Sequence, residues 1–256
     1  MEENREADGF CPNEVSVAVT LENVEGEDVG GVEGFLEGEE EMKPTPPKSD
    51  FKSVKDAFWV RDGPPRTKRI RVCVSNNDST KSLFSMLRVL VSNESDMAAI
   101  VAAGPYMYRS CRDVRFALGL ENERRALTKL GEICEELLAA YPRTIEEDEV
   151  ALKSDKELTP FSNKRHAYIQ VKGEKEVLHH FLQLSKSGVE AINVGSDEEF
   201  DVKVKSIQEE HGGCIGQYVK DVIASVRREE RRKERLRSKA AGAYGEEGER
   251  EEGGAE

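Results

Sequence analysis

Apolar residues recur at helical spacing in some stretches of this chain and alternate in others, and that contrast predicts the elements. Between Glu121 and Tyr141, Leu127, Leu130, Cys134, Leu137, Leu138 and Tyr141 form one stripe, and Pro142 ends it. Residues 79–93 (STKSLFSMLRVLVSN) put Leu83, Phe84, Leu87, Leu90 and Val91 on one face, with Ser79 or Thr80 as the N-cap. An Ala-rich helix over 94–103 stops at Gly104-Pro105, and a further helix over 174–187 stops at Gly188. Phe51, Val54 and Phe58, with Trp59 beside them, predict a short docking helix that Pro64-Pro65 closes.

Alternation predicts strands elsewhere. Over 69–74, Ile70, Val72 and Val74 face one way and Arg69, Arg71 and Cys73 the other. Residues 166–171 (HAYIQV) read as a second strand. Residues 191–194 and 200–207 flank the turn signal GSDEE and read as a hairpin, with Phe200, Val202 and Val204 opposite Asp201, Lys203 and Lys205. A last helix runs from about 215 to 240. Ile215, Val219, Val222, Ile223 and Val226 give its first half a core face, whereas its second half carries only Leu236 and projects into solvent. The fold class expected is α+β: one domain, a small, mostly antiparallel sheet packed by four to five helices, a long charged C-terminal helix, and disordered acidic tails.

Charge divides the chain further. Residues 1–50 hold fifteen acids and three bases with few large apolar groups, too little to offset the entropy of folding. The organisation expected is therefore a disordered acidic head over 1–64 (with the docking helix near 51–59), an α+β core over 65–226, and a basic helix end with an acidic tail over 227–256. The net charge of −13 comes mostly from head and tail, so the whole-chain value does not argue against a polyanionic partner. The N-terminus does not read as a secretory signal, and no apolar run reaches the length of a membrane span. Five scattered cysteines without a CxxC fit a reducing compartment. The sequons at Asn77 and Asn93 mean little without a signal peptide.

The densest candidate chemistry is the basic strip over 227–239, with eight bases against three acids. Arg227, Arg228, Arg231, Arg232, Lys233, Arg235, Arg237 and Lys239 are the candidate phosphate contacts, since guanidinium forks suit phosphate. A nuclear import signal and a merely solvated helix are the competing readings. Arg66, Lys68, Arg69 and Arg71 make a second candidate import strip, or an exposed sheet face. The acidic head and tail either cover the basic helix or only keep the chain soluble.

Catalytic signals are weak. His211 and Cys214 place a thiol near a base at a helix start, but no third group completes the arrangement. Asp201 and Lys203 match a permissive nuclease-like pattern that an exposed strand face explains as well. His179 and His180 are adjacent on a helix and diverge by about 100°, so they cannot readily share a metal. Tyr168 near His166 is not the aromatic pair of a single-strand reader. No P-loop, GxGxxG, HExxH or G-x-S-x-G occurs, and the glycines of GEDVGGVEGFLEG sit among acids that repel phosphate.

The function expected from sequence is a non-enzymatic interaction protein of nucleus and cytoplasm that grips RNA or DNA backbone, or another acidic partner, through 227–239. The alternative is a structural or adaptor protein, of viral matrix or accessory type among others, whose core binds protein and whose basic strips serve import. A thiol- or metal-dependent enzyme ranks third. No cofactor and no metal are expected. The expected partners are nucleic acid, an import receptor, other proteins and a second copy of the chain.

Overall fold

Val15, Val17 and Val19 alternate with Ser16, Ala18 and Thr20, and the valines are buried while their neighbours face solvent. This strand, β1 (Val15–Thr20), pairs antiparallel with β2 (Thr67–Val72), in a register that sets Val17 opposite Ile70 and Val15 opposite Val72. The head expected to be disordered over 1–64, apart from its docking helix near 51–59, contains this strand. Six residues embedded in an acidic stretch form a strand because their alternation buries one apolar face. The computed structural model describes residues 15–20, 51–60, 67–72, 74, 77–103, 110–112, 114, 116–154, 159, 162–211 and 213–248. The rest of the head, the ambiguous stretch around 104–109 and the tail from 249 lie outside the described residues.

The remainder is mostly helical. The docking helix is α1 (Phe51–Val60), which buries Phe58 and Trp59. Its Lys55 ammonium donates to the carbonyls of Leu90 at 2.6 Å and Ser92 at 3.1 Å. It thereby satisfies acceptors left over at the end of α2 (Asn77–Leu90). That helix begins ahead of both expected cap residues. In α3 (Glu94–Ala102), Asn93 and Asp96 form a reciprocal capping box at 2.9 and 3.1 Å.

The long stripe becomes α4 (Leu120–Ala139), followed by α5 (Ile145–Ser154). Next comes α6 (Asn163–Asn193), which is 31 residues long and replaces the strand expected over 166–171. Its buried positions Val177, Leu178, Phe181, Leu184, Gly188 and Ala191 keep helical spacing and lie along α4. The two helices approach closely. A Cβ on Gly188 would stand 2.8 Å from Leu127 and one on Gly131 2.7 Å from Ser185 Oγ, which donates to the Leu127 carbonyl at 2.7 Å.

The hairpin expected over 191–207 is absent. Residues from 197 form α7 (Asp197–His211), which buries Phe200, Val204 and Ile207 at i, i+4 and i+7. Val202, which suggested alternation, is 68% exposed. A left-handed Gly213 (φ 41°) starts α8 (Gly213–Tyr218). The chain then passes through a π-helical turn, Val219–Ile223, into α9 (Ala224–Gly248). The buried residues of the sheet and helices form one hydrophobic core that includes Trp59, Leu87, Leu130, Phe181 and Ile223.

Candidate functional site

The expected basic surface does not hold together as one exposed strip. Arg227 turns inward and is 8% exposed. It donates to the carbonyls of Val194 at 2.6 Å, Gly195 at 2.8 Å and Ser196 at 3.0 Å, and its guanidinium lies over the Phe200 ring at 4.8 Å. Arg231 pairs with Asp197, and Glu230 accepts from the Leu120 backbone N–H at 2.7 Å, capping α4. The first turns of α9 are thus a brace joining α4, α6 and α7, and they do not project. Arg228, Arg232, Lys233, Arg235, Arg237 and Lys239 are exposed, and Arg232 pairs with Glu229 at 3.8 Å.

The second basic strip is divided as well. Lys68 is buried on the inner face of β2, Arg69 and Arg71 are exposed on its outer face, and Arg66 lies outside the described residues. Cys214 is exposed, and its thiol donates to the Val74 carbonyl at 3.4 Å. His211 lies 3.7 Å from Glu210, and the Cys214 thiol is bonded to a backbone carbonyl rather than to His211. Asp201 and Lys203 sit on α7 rather than on a strand, with Lys203 paired to Glu190 at 2.7 Å. Tyr168 and His166 lie on α6. Among the described residues no cluster of His, Cys, Asp and Glu could hold a metal ion, and no helix is long and apolar enough to cross a membrane.

What the fold does assemble is a groove of about 640 Å³ between α2, α6 and the α8–π segment. Each wall follows from helical spacing. Lys81, Phe84 and Arg88 come from α2, His180, Phe181 and Leu184 from α6, and Gln217, Tyr218, Asp221 and Val222 from the last segment. Phe116 stands at the edge, 69% exposed although it is a large apolar side chain. Apolar side chains and polar ones alternate in the groove's lining, and its volume is large enough to take a side chain of a partner. The π turn interrupts the regular helix within this wall, and such turns recur at functional sites.

A buried polar cluster supports the groove from below. Arg88 Nε and Nη2 donate to the two Glu123 oxygens, each at 2.8 Å, and Nη1 donates to the Val114 carbonyl at 3.1 Å. The Tyr218 hydroxyl donates to Glu123, and its ring stacks on Phe84 with centroids 4.7 Å apart. Burial by itself would lower the Arg88 pKa, but the charge and hydrogen bonds of Glu123 outweigh it and hold the guanidinium protonated. Burial, and then the Glu123 charge, push the Tyr218 phenol well above its ordinary range. His180 is lowered by burial and by His211 and so favours its neutral form. The cluster cancels its own charge, and what it offers the groove is rigidity.

A smaller cavity of about 410 Å³ lies where α4, α5 and α6 meet. Lys175 on its floor is 2% exposed and donates to Asp148 at 2.5 Å and to the Arg143 carbonyl at 2.6 Å. The groove was not legible in sequence, because its residues come from separate segments that only the tertiary fold brings together. Arg88 at the end of an apolar helix face was the one available signal.

Residues 46–178 match the family model described as Rubisco LSMT substrate-binding. No curated protein matches the sequence. Among solved structures, the chain resembles Rubisco LSMT bound to AdoMet, at 15% identity over 78% of this chain and 40% of that one, with a TM-score of 0.46. It also resembles the SET domain of LSMT bound to lysine and AdoHcy, at 14% identity over 79% and 39%, with a TM-score of 0.47. The chain therefore spans about 40% of the solved chains it resembles. The family match overturns the expectation of a non-enzymatic nucleic-acid binder, and with it the adaptor and viral-matrix alternatives. It ties the chain instead to the family described as Rubisco LSMT substrate-binding.

Proposed function

The chain belongs to the Rubisco LSMT substrate-binding family, and from that premise we propose that it supplies the substrate-binding part of a methyltransferase, holding a protein substrate in the groove between α2, α6 and the π turn. The observation that carries the reading is the match over 46–178, a span that contains α1 to α5 and the Lys81–Phe84–Arg88 wall. The groove supports it physically. Phe116, 69% exposed at the edge of a groove with a rigid floor, suits an apolar contact with a partner chain.

On this reading residues 65–226 are the folded core, completed by β1, α1 and the brace at Arg227–Arg231, and the exposed turns after Arg231 are a solvated extension. The methyl donor is assigned no residue in this chain. Arg88 and Glu123, the buried charged pair beneath the groove, are spent on each other and offer the sulfonium and carboxylate of AdoMet no counter-charge. No chemical step is therefore derived through it.

The test is surface plasmon resonance of the full chain against Rubisco holoenzyme, the protein named in the family's description. Saturable binding that Phe116→Asp weakens roughly tenfold or more supports the reading. Rubisco that fails to bind, or that binds the variant as well as the parent, overturns it.

A further inference from the structure

Every described residue lining the smaller cavity between α4, α5 and α6 falls within the matched span 46–178, whereas the groove's last wall, Gln217 to Val222, lies beyond it. Tyr168, Val171 and Lys175 reach this cavity from one face of α6, at helical spacing. Tyr141 and Pro142 follow α4, and Arg143 belongs to the link into α5. The mouth is open. Pro142, Arg143 and Ala167 are exposed, and Tyr141, Tyr168 and Val171 are partly so. Arg143 lies over the Tyr168 ring, 5.3 Å from its centre, and donates one N–H to the Tyr168 hydroxyl. Among the described residues no carboxylate stands at ion-pair distance from that guanidinium. Two nearby acids are already bonded. Asp148 is spent on Lys175, and Glu174 accepts from the Tyr141 hydroxyl at 2.8 Å and from Gln170 at 3.1 Å.

Resting on the substrate-binding reading, we infer that this cavity is a second contact point for the protein substrate, taking an acidic side chain whose apolar neighbour packs on the cavity wall. The bond to Tyr168 uses one N–H of the Arg143 fork and leaves others for a carboxylate, whose planar shape the fork matches. Arg143 is held at both ends. Lys175 donates to its carbonyl at 2.6 Å, and the Tyr168 ring supports its guanidinium, so little ordering is left to be done on binding. The apolar neighbour covers Pro142, Val171 and the open part of the tyrosine rings. Lys175 itself is buried and paired, and with Asp148 it forms the floor. A basic side chain at the mouth is repelled by Arg143, so the site discriminates by sign.

The experiment titrates the isotope-labelled full chain with three capped pentapeptides and follows binding by NMR. One carries a glutamate followed by a leucine, the second has glutamine in place of the glutamate, and the third has lysine there. The glutamate peptide should bind tightest, by about fivefold over the glutamine peptide, with shifts at Tyr168 and Val171. Arg143→Gln should abolish that preference, and Arg143→Glu should turn it toward the lysine peptide. Equal binding of the glutamate and glutamine peptides by the parent, or a preference that survives Arg143→Gln, overturns the inference. Surface plasmon resonance against Rubisco holoenzyme separates it from the reading beneath it, since Arg143→Gln should weaken that binding about fivefold. If Phe116→Asp weakens Rubisco binding and Arg143→Gln does not, the groove stands as the substrate site and the cavity falls as a second contact. If Rubisco does not bind the parent while the peptide preference holds, the substrate-binding reading falls and only the carboxylate site stands.

Discussion

Arg88 and Glu123 face each other through two 2.8 Å hydrogen bonds in the interior, joining α2 to α4 beneath the groove. Each is nearly inaccessible, at 3% and 0% side-chain exposure. Removing one partner leaves the other charge buried alone. Arg88→Ala or Glu123→Ala should each cost about 3–5 kcal/mol in urea denaturation. The paired replacement Arg88→Met with Glu123→Leu should cost less than either single change, because it leaves no uncompensated charge.

Arg227 differs from the rest of the basic strip in what it touches. Three carbonyls at the end of α6 and the start of α7 accept from its guanidinium. Arg227→Ala should destabilise the fold by about 2 kcal/mol, whereas Arg235→Ala should stay within about 0.5 kcal/mol of the parent. Thermal melts of the two variants side by side check the contrast.

The α4–α6 contact depends on small residues at the crossing. A Cβ on Gly188 would meet Leu127 Cδ1 at 2.8 Å and Ile223 Cδ1 at 3.5 Å. Gly188→Val should therefore destabilise by about 1–3 kcal/mol through overpacking, despite removing a helical glycine. Combining it with Leu127→Ala should restore part of the loss, and a double-mutant cycle measures how much.

The Tyr141 phenol is raised to about 12 by burial, then by its hydrogen bond to Glu174 and that carboxylate's charge. The unfolded chain releases this proton near its ordinary value of 10, while the folded chain keeps it. The resulting stability is complete below pH 10 and is lost as pH rises from 10 to 12. Stability measured across that window should fall less steeply in Tyr141→Phe than in the parent. Equal slopes would show that Tyr141 does not contribute.

Local pattern was sufficient wherever one element buries one face against a large neighbour. The Leu127–Tyr141 stripe, the α2 face, the docking helix with Trp59 and the alternation of β2 were all readable, because helical and strand spacing appear directly in sequence. Residues 166–171 and 200–207 misled for a physical reason. Their apolar residues also alternate, yet Ile169 and Val202 point to solvent while the buried set follows i, i+4 and i+7 along α7. β1 was missed because six residues in an acidic stretch become a strand only when β2 offers its edge.

By itself, then, the sequence determined the helical stripes, one strand of the sheet, and the contrast between an acidic head and a basic helix end. Tertiary structure decided which charges are spent. It turned Arg227 into a brace and buried Arg88 against Glu123. The reason is the same in each case. A charge's role depends on which partner lies within about 4 Å and how much water remains, and both are set by contacts between residues distant in sequence.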